Sequence, residues 1–228
     1  LVRVEKLASD VYEFEFASER VVGTVEFDPG QFMLLNVQDC KEPPVSRAYS
    51  LASPPEEIDG IMRFLCCIKL IPGGRGSEYL RKLKVGDTAE LQGPSGHFTL
   101  SSSAPGKDLI LVATGVGVAP FMCMLKQMFA DGAVATEHAN RKVFLHFGVR
   151  HEEDIFYKEQ LEAWKSAHDN FDFTLTLSKP GEEWDGAKGR VTDHLTKQFE
   201  GVDPAQTEIF ICGSGSMVKE VKGMAEEV

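Results

Sequence analysis

The chain has 228 residues, of which 43% are hydrophobic, and its formal net charge is -11 at pH 7. This length and apolar content suffice for one large domain or two of ordinary size. The acidic balance argues against general nucleic-acid binding, because such proteins need a surplus of basic residues to neutralise phosphates.

The sequence also lacks the patterns of several other classes of protein. No apolar run approaches the roughly 20 residues of a membrane-spanning helix. Residues 1–6 do not have the layout of a signal peptide, which predicts a cytoplasmic protein. The cysteines have neither a paired framework nor Cys-x-x-Cys spacing, so we expect no structural disulfide, no zinc site and no iron–sulfur cluster; they are Cys40, Cys66, Cys67, Cys123 and Cys212.

Residues 1 to about 100 have the pattern of an all-β domain with one short helix. Strands are predicted over residues 11–16, 31–37, 45–52 and 61–70, which are rich in β-forming residues and are separated by Gly/Pro turns. Many short strands separated by Gly/Pro turns are typical of a β-barrel or a β-sandwich.

The third of these strands contains the sequence Ser-Arg-Ala-Tyr-Ser at residues 46–50. Strand alternation places Arg47 and Tyr49 on one face, and Ser46 and Ser50 on the other. A guanidinium beside an aromatic ring suits a ligand that has both a phosphate and a planar ring. Taken alone, however, the segment is better explained as a half-buried strand with a surface arginine and a core tyrosine.

A glycine-rich turn, Pro-Gly-Gly-Arg-Gly-Ser, occupies residues 72–77 and precedes a helix predicted over residues 78–83. Backbone amides at the start of a helix attract anions, and glycines allow a phosphate to approach closely. Ser77 is also a good helix N-cap. Phosphate binding and capping explain the turn equally well.

Residues 101–108 have the composition of a linker. They separate this part from a region in which strands and helices alternate. Strands are predicted over residues 109–113, 142–149, 171–177 and 208–212, and helices over residues 118–130, 157–167, 191–199 and 217–227. This alternation predicts a parallel sheet with helices on both faces. We therefore expect two domains of different class, over residues 1–104 and 105–228.

The second predicted domain has two glycine turns that follow strands. The first is Thr-Gly-Val-Gly-Val-Ala-Pro at residues 114–120, where dinucleotide pyrophosphates bind in such sheets. Pro120 replaces the third glycine of the usual fingerprint, and a proline is compatible with the first turn of a helix. The second turn, Cys212–Gly213, lies at the same edge of the sheet. Cys212 could be a buried thiol, a residue packed on a ligand ring or, least favoured because no basic partner is near, a nucleophile.

Together these motifs resemble those of the ferredoxin–NADP reductase superfamily of flavin- and nicotinamide-dependent reductases. They are Arg-Ala-Tyr-Ser at 47–50, Gly-Arg-Gly-Ser at 74–77, the turn at 114–120, and Cys212–Gly213 followed by Met217, in the family's order and over nearly the whole chain. The resemblance implies an antiparallel Greek-key β-barrel that binds FAD, followed by a Rossmann-like parallel-sheet domain that binds NAD(P).

The resemblance also implies roles for individual residues. Arg47 would bind the flavin pyrophosphate, and Tyr49 would pack on the isoalloxazine. Ser50, near flavin N5, and Cys212, beside the nicotinamide, would be the catalytic residues. The implied cofactor-binding residues are Arg47, Ala48, Tyr49, Ser50, Gly74, Arg75, Gly76, Ser77, Thr114, Gly115, Val116, Gly117, Pro120, Arg150, Arg190, Cys212 and Gly213.

The choice between NADH and NADPH is open at the level of sequence. The second strand of the α/β domain is followed by Arg-His-Glu-Glu-Asp at residues 150–154. An acid at this place pairs with a free ribose diol and an arginine with a 2′-phosphate. Both residue types are present, and Arg190 could supply a second cation or be a solvated surface charge.

The implied function is a flavoprotein reductase that passes electrons to a protein carrier such as a ferredoxin or an iron–sulfur domain. A free-flavin or quinone reductase and a non-catalytic nucleotide-binding subunit are the alternatives. A basic group could steer an acidic carrier, or one or two of its members could bind the flavin phosphates while the rest are solvated; it comprises Arg63, Lys69, Arg75, Arg81, Lys82 and Lys84.

The sequence departs from the family's pattern in two respects. Members usually continue past the last helix, and some place a C-terminal aromatic residue against the flavin, whereas this sequence stops at Val228. Many relatives also carry a plant-type ferredoxin domain, and no such cluster motif is present here. We therefore expect the electrons to leave to another domain or chain.

Overall fold

The computed structural model describes residues 1–18, 27–104, 106–129 and 141–227. The N-terminal part contains seven strands and one α-helix among these residues. They are β1 (Arg3–Lys6), β2 (Val11–Ala17), β3 (Phe32–Val37), β4 (Val45–Ser50), β5 (Glu56–Ile58), β6 (Ile61–Lys69), α1 (Arg75–Leu80) and β7 (Glu90–Ser95).

The strands of the N-terminal part form two antiparallel sheets with the orders β1-β2-β6-β5 and β4-β3-β7. Alternation sets the buried face, since Met33, Leu35 and Val37 of β3 are buried and the residues between them are only partly so. Just past β4, Leu51 bridges to Cys66 of β6, and the Ala52 N–H donates to the Leu65 carbonyl. The chain after β4 therefore joins the two sheets.

The C-terminal part is a five-stranded parallel sheet with helices. Its elements are β8 (Asp108–Thr114), α2 (Ala119–Met128), β9 (Val143–Val149), α3 (Lys158–Ala167), β10 (Phe171–Leu177), β11 (Ala187–Lys188), α4 (Leu195–Glu200), β12 (Thr207–Cys212) and α5 (Gly215–Glu226). The sheet order is β11-β10-β9-β8-β12. The predicted fold class, antiparallel β followed by parallel α/β, is confirmed.

The order of the parallel sheet identifies its ligand-binding edge. From β8 the chain adds β9, β10 and β11 on one side and then returns to place β12 on the other. The carboxyl end of β8 is thus the point at which the direction of strand addition reverses, and open α/β sheets bind ligands at such points. Both predicted glycine turns follow strands that meet there.

The residues group into two compact units. The first comprises Leu1–Ser102 with Ala119–Gln127, and the second comprises Ser103–Val118 with Met128–Val228. Most of α2 therefore belongs to the first unit, and Cys123 of this helix lies in the same core as Leu51 and Cys66. The domain boundary drawn between residues 104 and 105 stays a prediction.

Two of the differences from the predicted helix bounds have a local structural cause. The helix predicted over residues 78–83 is α1 at Arg75–Leu80, because Gly74 takes the N-cap position, and only tighter turns follow as far as Leu83. The helix predicted over residues 191–199 begins as a 3-10 helix, Val191–His194, before α4. Ala130, the predicted end of α2, lies outside the described residues.

Three buried polar side chains of the second unit have no hydrogen-bond partner among the described residues. His146 in β9 is 2% exposed, and neither of its ring nitrogens has a hydrogen-bond partner among the described residues. Thr176 of β10 and Thr192 are also buried with unpartnered hydroxyls there. Burial, aided by the charge of His194, lowers the pKa of His146 to about 4. This histidine is therefore neutral at physiological pH.

We expect His146 to make the protein less stable in mild acid than at neutral pH. Its pKa is about 4 when folded, against 6.5 for the unperturbed side chain, so below pH 6.5 the unfolded chain binds a proton that the folded protein does not. Linkage makes the resulting loss about 2 kcal/mol at pH 5. In urea unfolding, His146→Leu should lose less free energy of unfolding between pH 7 and pH 5 than the wild type.

The exposed His97 provides the matched control for this measurement. The variant His97→Leu should show the same loss between the two pH values as the wild type. An unchanged loss in His146→Leu would contradict the assignment.

Candidate functional site

Gly76 of α1 lies directly against two side chains of the predicted flavin motif. A Cβ built on Gly76 would lie 2.8 Å from the Tyr49 hydroxyl and 3.0 Å from Cγ of Arg47. A side chain at position 76 would therefore displace the Tyr49 hydroxyl and press on the Arg47 side chain. The structure thus brings the cation, the aromatic ring and the glycine-rich turn together, and Arg47 and Tyr49 contact Gly76 from the same side of β4.

Arg47 and Tyr49 differ in their exposure to solvent. Arg47 is exposed and its Nη1 donates to the Ser46 carbonyl at 2.9 Å, while Tyr49 is partly buried. Burial raises the pKa of the Tyr49 hydroxyl, although the charge of Arg47 acts in the opposite direction. Tyr49 is therefore neutral at pH 7, and it presents an aromatic ring beside a fixed positive charge.

Ser77 is not the N-cap of α1. It is buried within the first turn of the helix, and its Oγ accepts the Ile71 N–H at 2.8 Å. Gly74 is the N-cap residue and provides no side-chain cap. Because the Ser77 oxygen acts as the acceptor in this bond, its own O–H can still donate a hydrogen bond.

Arg75 binds a different part of the chain. Its guanidinium forms a two-pronged ion pair with Asp39, through Nε at 2.8 Å and Nη2 at 2.6 Å, and also donates to the carbonyls of Lys41 and Pro43. The hydrogen bonds from Arg75 hold the pKa of Asp39 well below its usual range. Arg75 therefore fixes the segment that leads into β4, and its contact with a flavin phosphate stays a prediction.

The carboxyl end of β4 is held by a lysine that the sequence analysis did not single out. Nζ of Lys126, in α2, donates to the Ala52 carbonyl at 2.9 Å, two residues beyond Ser50. Burial lowers the pKa of Lys126. Ser50 is partly buried and pairs with Phe32 of β3, whereas Ala48 is exposed. A lone lysine in an otherwise apolar helix was the only sequence signal of this anchor.

The two glycine turns of the second unit pack backbone against backbone. A Cβ on Gly117 would lie 2.3 Å from the Cys212 carbonyl oxygen, and a Cβ on Gly213 would lie 2.2 Å from Oγ1 of Thr114. The Ser214 N–H donates to the same Thr114 oxygen at 3.0 Å. These contacts interlock the ends of β8 and β12, as the predicted shared crevice requires.

The remaining residues of the first turn have defined positions. Gly115 has a φ of +54°, which favours glycine, and it begins the 3-10 helix Gly115–Val118 that contains Val116. Pro120 is the second residue of α2 and is buried. Its missing N–H is tolerated because the first turn of a helix has no internal acceptors for such groups.

Cys212 has the properties of an inert thiol. It ends β12 and is partly buried. Burial raises its pKa, so the thiol is protonated at neutral pH. These properties agree with its predicted place beside a ligand ring and disfavour nucleophilic chemistry.

The predicted selectivity residues lie at the same edge of the sheet, after other strands. Arg150 follows β9 and is exposed, and its carbonyl accepts the Lys179 N–H at 2.9 Å. Arg190 follows β11; its side chain is 75% exposed, with a carboxylate oxygen of Glu220 3.8 Å away.

The acidic side chains near Arg150 accept hydrogen bonds from backbone N–H groups. Glu152 accepts the Gly181 N–H at 2.7 Å, and Asp154 accepts the His151 N–H at 3.2 Å.

In the described part of the chain, no group of three or more His, Cys, Asp and Glu side chains could hold a metal ion. Nor is any helix there long and apolar enough to cross a membrane.

Comparison with protein families matches both parts of the chain. Residues 1–100 match the family model "Oxidoreductase FAD-binding domain", and residues 111–223 match "Oxidoreductase NAD-binding domain". The chain therefore contains the FAD-binding and NAD-binding domains of one family of oxidoreductases.

Individual relatives agree with these models. The chain is 38% identical over 231 residues to ferredoxin–NADP reductase B of Sorangium cellulosum, covering 99% of this chain and 89% of that protein. It is 35% identical over 197 residues to the toluate 1,2-dioxygenase electron transfer component of Pseudomonas putida, covering 86% of this chain and 53% of that protein. The chain thus spans about half the length of the dioxygenase component.

Solved structures show the same architecture. A ferredoxin NADP+ reductase from Neisseria gonorrhoeae, with bound FAD and NADP, matches with a TM-score of 0.74 at 26% identity, covering 96% of this chain and 85% of that one. The cytochrome b5 reductase domain of Ulva prolifera nitrate reductase matches with a TM-score of 0.81 at 25% identity, covering 100% of this chain and 90% of that one. The chain belongs to the ferredoxin–NADP reductase superfamily of NAD(P)H-dependent flavin oxidoreductases.

Proposed function

We propose that the protein is a flavoprotein reductase that oxidises NADPH with FAD and delivers the electrons to a protein redox carrier. The observation that carries this proposal is the convergence of Arg47, Tyr49 and Gly76 on one side of β4. A fixed cation, a flat ring and a backbone free of side chains match the pyrophosphate and the planar ring of a flavin.

The residues of the first unit fit FAD in chemical type. The guanidinium of Arg47 provides planar, paired donors for a pyrophosphate, and Gly76 allows Arg47 and Tyr49 to pack against the start of α1. The free O–H of Ser77 adds a further donor. Tyr49, neutral and partly buried, offers its ring to the isoalloxazine. Arg75 acts indirectly, since its ion pair with Asp39 fixes the segment before β4.

When bound, FAD accepts a hydride from reduced nicotinamide and releases the electrons one at a time to a carrier. The protein's contribution is to position the groups and exclude water. Ser50 donates a hydrogen bond near N5 of the flavin ring, and the hydrogen bond from Lys126 to Ala52 holds the backbone beyond it. Cys212 remains a neutral thiol and packs beside the nicotinamide. The interlocked turns at Gly117 and Gly213 support the dinucleotide pyrophosphate.

NADPH is the preferred donor in this proposal. Arg150 follows β9, the second strand, where an arginine accommodates a 2′-phosphate in doubly wound sheets, and Lys179 and Arg190 add cations at the same edge after β10 and β11. The carboxylates of Glu152 and Asp154 accept hydrogen bonds from backbone N–H groups. They are therefore engaged within the protein and less suited to bind a ribose diol. The Sorangium relative, named as a ferredoxin–NADP reductase, supports the same choice.

The acceptor surface that we propose lies next to α1. Lys69, Lys82 and Lys84 are exposed there, and so are Ile71 and Val85, at 58% and 63%. Arg81 joins the two segments through its hydrogen bond to the Leu70 carbonyl. Apolar side chains ringed by lysines suit an acidic protein carrier, because the charges steer the encounter and the apolar contacts hold the complex.

A visible spectrum and a simple assay test the function itself. The purified protein should bind FAD, show flavin absorption and lose that absorption when NADPH is added without oxygen. A protein that binds no FAD and does not oxidise NADPH would refute the proposal.

The variants Arg47→Ala and Ser50→Ala should separate binding from chemistry. Loss of the charge-assisted bonds of Arg47 should weaken FAD retention about tenfold to a hundredfold, as measured by equilibrium dialysis. Ser50→Ala should retain FAD and slow flavin reduction by NADPH about tenfold in stopped-flow measurements. Lys82→Ala, at an exposed position, is the control for both. Unchanged FAD occupancy in the first variant, or unchanged reduction in the second, would count against these roles.

The variant Arg190→Ala should change selectivity between nicotinamide cofactors. Removing a 2′-phosphate partner should raise the KM for NADPH about tenfold or more and leave the KM for NADH unchanged. Steady-state rates with each donor measure this, with Lys197→Ala on α4 as the control for a lost surface charge. Equal effects on the two cofactors would contradict the proposed phosphate contact.

The double variant Lys82→Glu/Lys84→Glu should impair reduction of an acidic carrier only. We expect kcat/KM for a [2Fe–2S] ferredoxin to fall about tenfold at low ionic strength, and the difference to shrink in 0.5 M salt. Reduction of the neutral quinone menadione should not change. The same charge reversal at Lys158 and Lys165 on α3 is the control. Wild-type ferredoxin reduction that is indifferent to salt would exclude this docking surface.

A further inference from the structure

The first unit contains a cavity of about 440 Å³ that the proposed function does not use. Its walls come from the sheet β1-β2-β6-β5, from the loop that precedes β5 and from α2. None of the residues that we predict to bind FAD or the nicotinamide cofactor is among the residues that line it. Cavities of this size are typical of sites for small molecules.

Arg63 of β6 lines this cavity and lacks an acceptor for part of its side chain. Strand alternation turns it away from its neighbour Phe64, which lies in the hydrophobic core. Nε of Arg63 is buried and has no hydrogen-bond partner among the described residues. By contrast, Arg3, Arg75 and Arg81 all donate to carboxylates. Because an enclosed cationic donor without an acceptor is unfavourable, Arg63 favours an additional acceptor.

Lys126 of α2 provides a second cation to the same cavity. It donates one N–H to the Ala52 carbonyl at 2.9 Å, and an ammonium group has three such donors. Burial lowers the pKa of Lys126, whereas the negative charge of Glu13 acts in the opposite direction. An anion in the cavity would therefore favour the charged form of this lysine and accept from a donor that Ala52 does not use.

The charged residues that line the cavity limit the charge of its ligand. They are three cations and two acids, an excess of one positive charge. Arg3 and Glu15 form an ion pair at 2.8 Å, which leaves Arg63 and Lys126 with Glu56, the cross-strand neighbour of Arg63. One excess positive charge suits a singly charged anion, whereas the nearby carboxylates repel a doubly charged one.

The remainder of the wall is mainly apolar. Leu65 of β6 and the consecutive prolines Pro54 and Pro55 line it. A carboxylate matches the planar, paired donors of a guanidinium, and a short hydrocarbon chain matches the apolar residues. A small carboxylic acid with an apolar body therefore complements both parts of the cavity.

We propose that this cavity is a binding site for a small, singly charged carboxylic acid with an apolar body. Arg63 and Lys126 bind the carboxylate, and Leu65, Pro54 and Pro55 contact the hydrocarbon part. This site is separate from the proposed nucleotide sites, so the inference does not depend on the reductase function.

Titrations with hexanoate, 1-hexanol and sulfate test the proposed chemistry. Binding to the FAD-loaded full chain is followed by NMR, through the backbone amides of residues 53–56 and 63–65. Hexanoate should shift these signals to saturation. The neutral 1-hexanol should bind about tenfold weaker or less, because it lacks the charge-assisted bonds, and so should the doubly charged sulfate. Equal binding of hexanoate and sulfate would overturn the proposal and indicate general anion binding.

Substitutions at Arg63 and Glu56 test the proposed contacts. Arg63→Gln should weaken hexanoate binding about tenfold, and Arg63→Lys, which retains the charge but loses the paired donors, about threefold. Glu56→Gln removes a repelling acid and should strengthen binding about threefold. Lys6→Gln, at an exposed position of β1, is the matched control for a lost positive charge and should bind hexanoate like the wild type.

The outcomes are decisive in either direction. Thermal unfolding first establishes that each variant is folded, and the opposite effects of Arg63→Lys and Glu56→Gln keep the test valid if Arg63→Gln does not fold. Equal affinity of all variants would overturn the site. So would hexanoate binding that adenosine 2′,5′-bisphosphate abolishes, because the ligand would then occupy the nucleotide site. Neither result would affect the reductase, which the reduction of the flavin by NADPH tests separately.

Discussion

Close approach of backbone atoms is the constraint on which both nucleotide sites depend. Gly76 touches Arg47 and Tyr49 at distances that exclude a Cβ, and Gly117 and Gly213 exclude one against the opposite strand end. A phosphate needs exposed N–H groups, and an added methyl group would cover them or push the elements apart. The glycines therefore determine how the surrounding elements pack, and the proposed nucleotide sites rest on that packing.

Hydrogen bonds that span long stretches of sequence hold these elements in place. Arg75 ties α1 to Asp39 and the segment before β4, and Lys126 ties α2 to Ala52 after it. The chain before and after β4 is thus held by one cation on each side. Such preorganisation is what hydride transfer requires, because its rate depends on the positions of the two rings rather than on acid–base groups.

The basic residues near α1 fall into two groups, those that form hydrogen bonds within the protein and those that are exposed. Arg75 and Arg81 form hydrogen bonds within their own unit, whereas Lys82 and Lys84 are exposed and belong to the proposed acceptor surface. An excess of acidic residues over the whole chain does not prevent this, since steering depends on the local field and not on the net charge. In the second unit, the exposed cations Lys179 and Arg190 flank the exposed acids Glu182, Glu183 and Asp185 in sequence.

The sequence alone determined the fold class, the order of the elements and the family, because hydrophobic periodicity and glycine motifs are local properties. It also predicted that Arg47 and Tyr49 share a face, since strand alternation requires it. Only the tertiary structure decided that Arg75 binds Asp39, that Ser77 accepts from Ile71 and that Lys126 anchors Ala52. These contacts depend on which distant residues the sheets bring within hydrogen-bonding distance, and neither composition nor spacing encodes that distance.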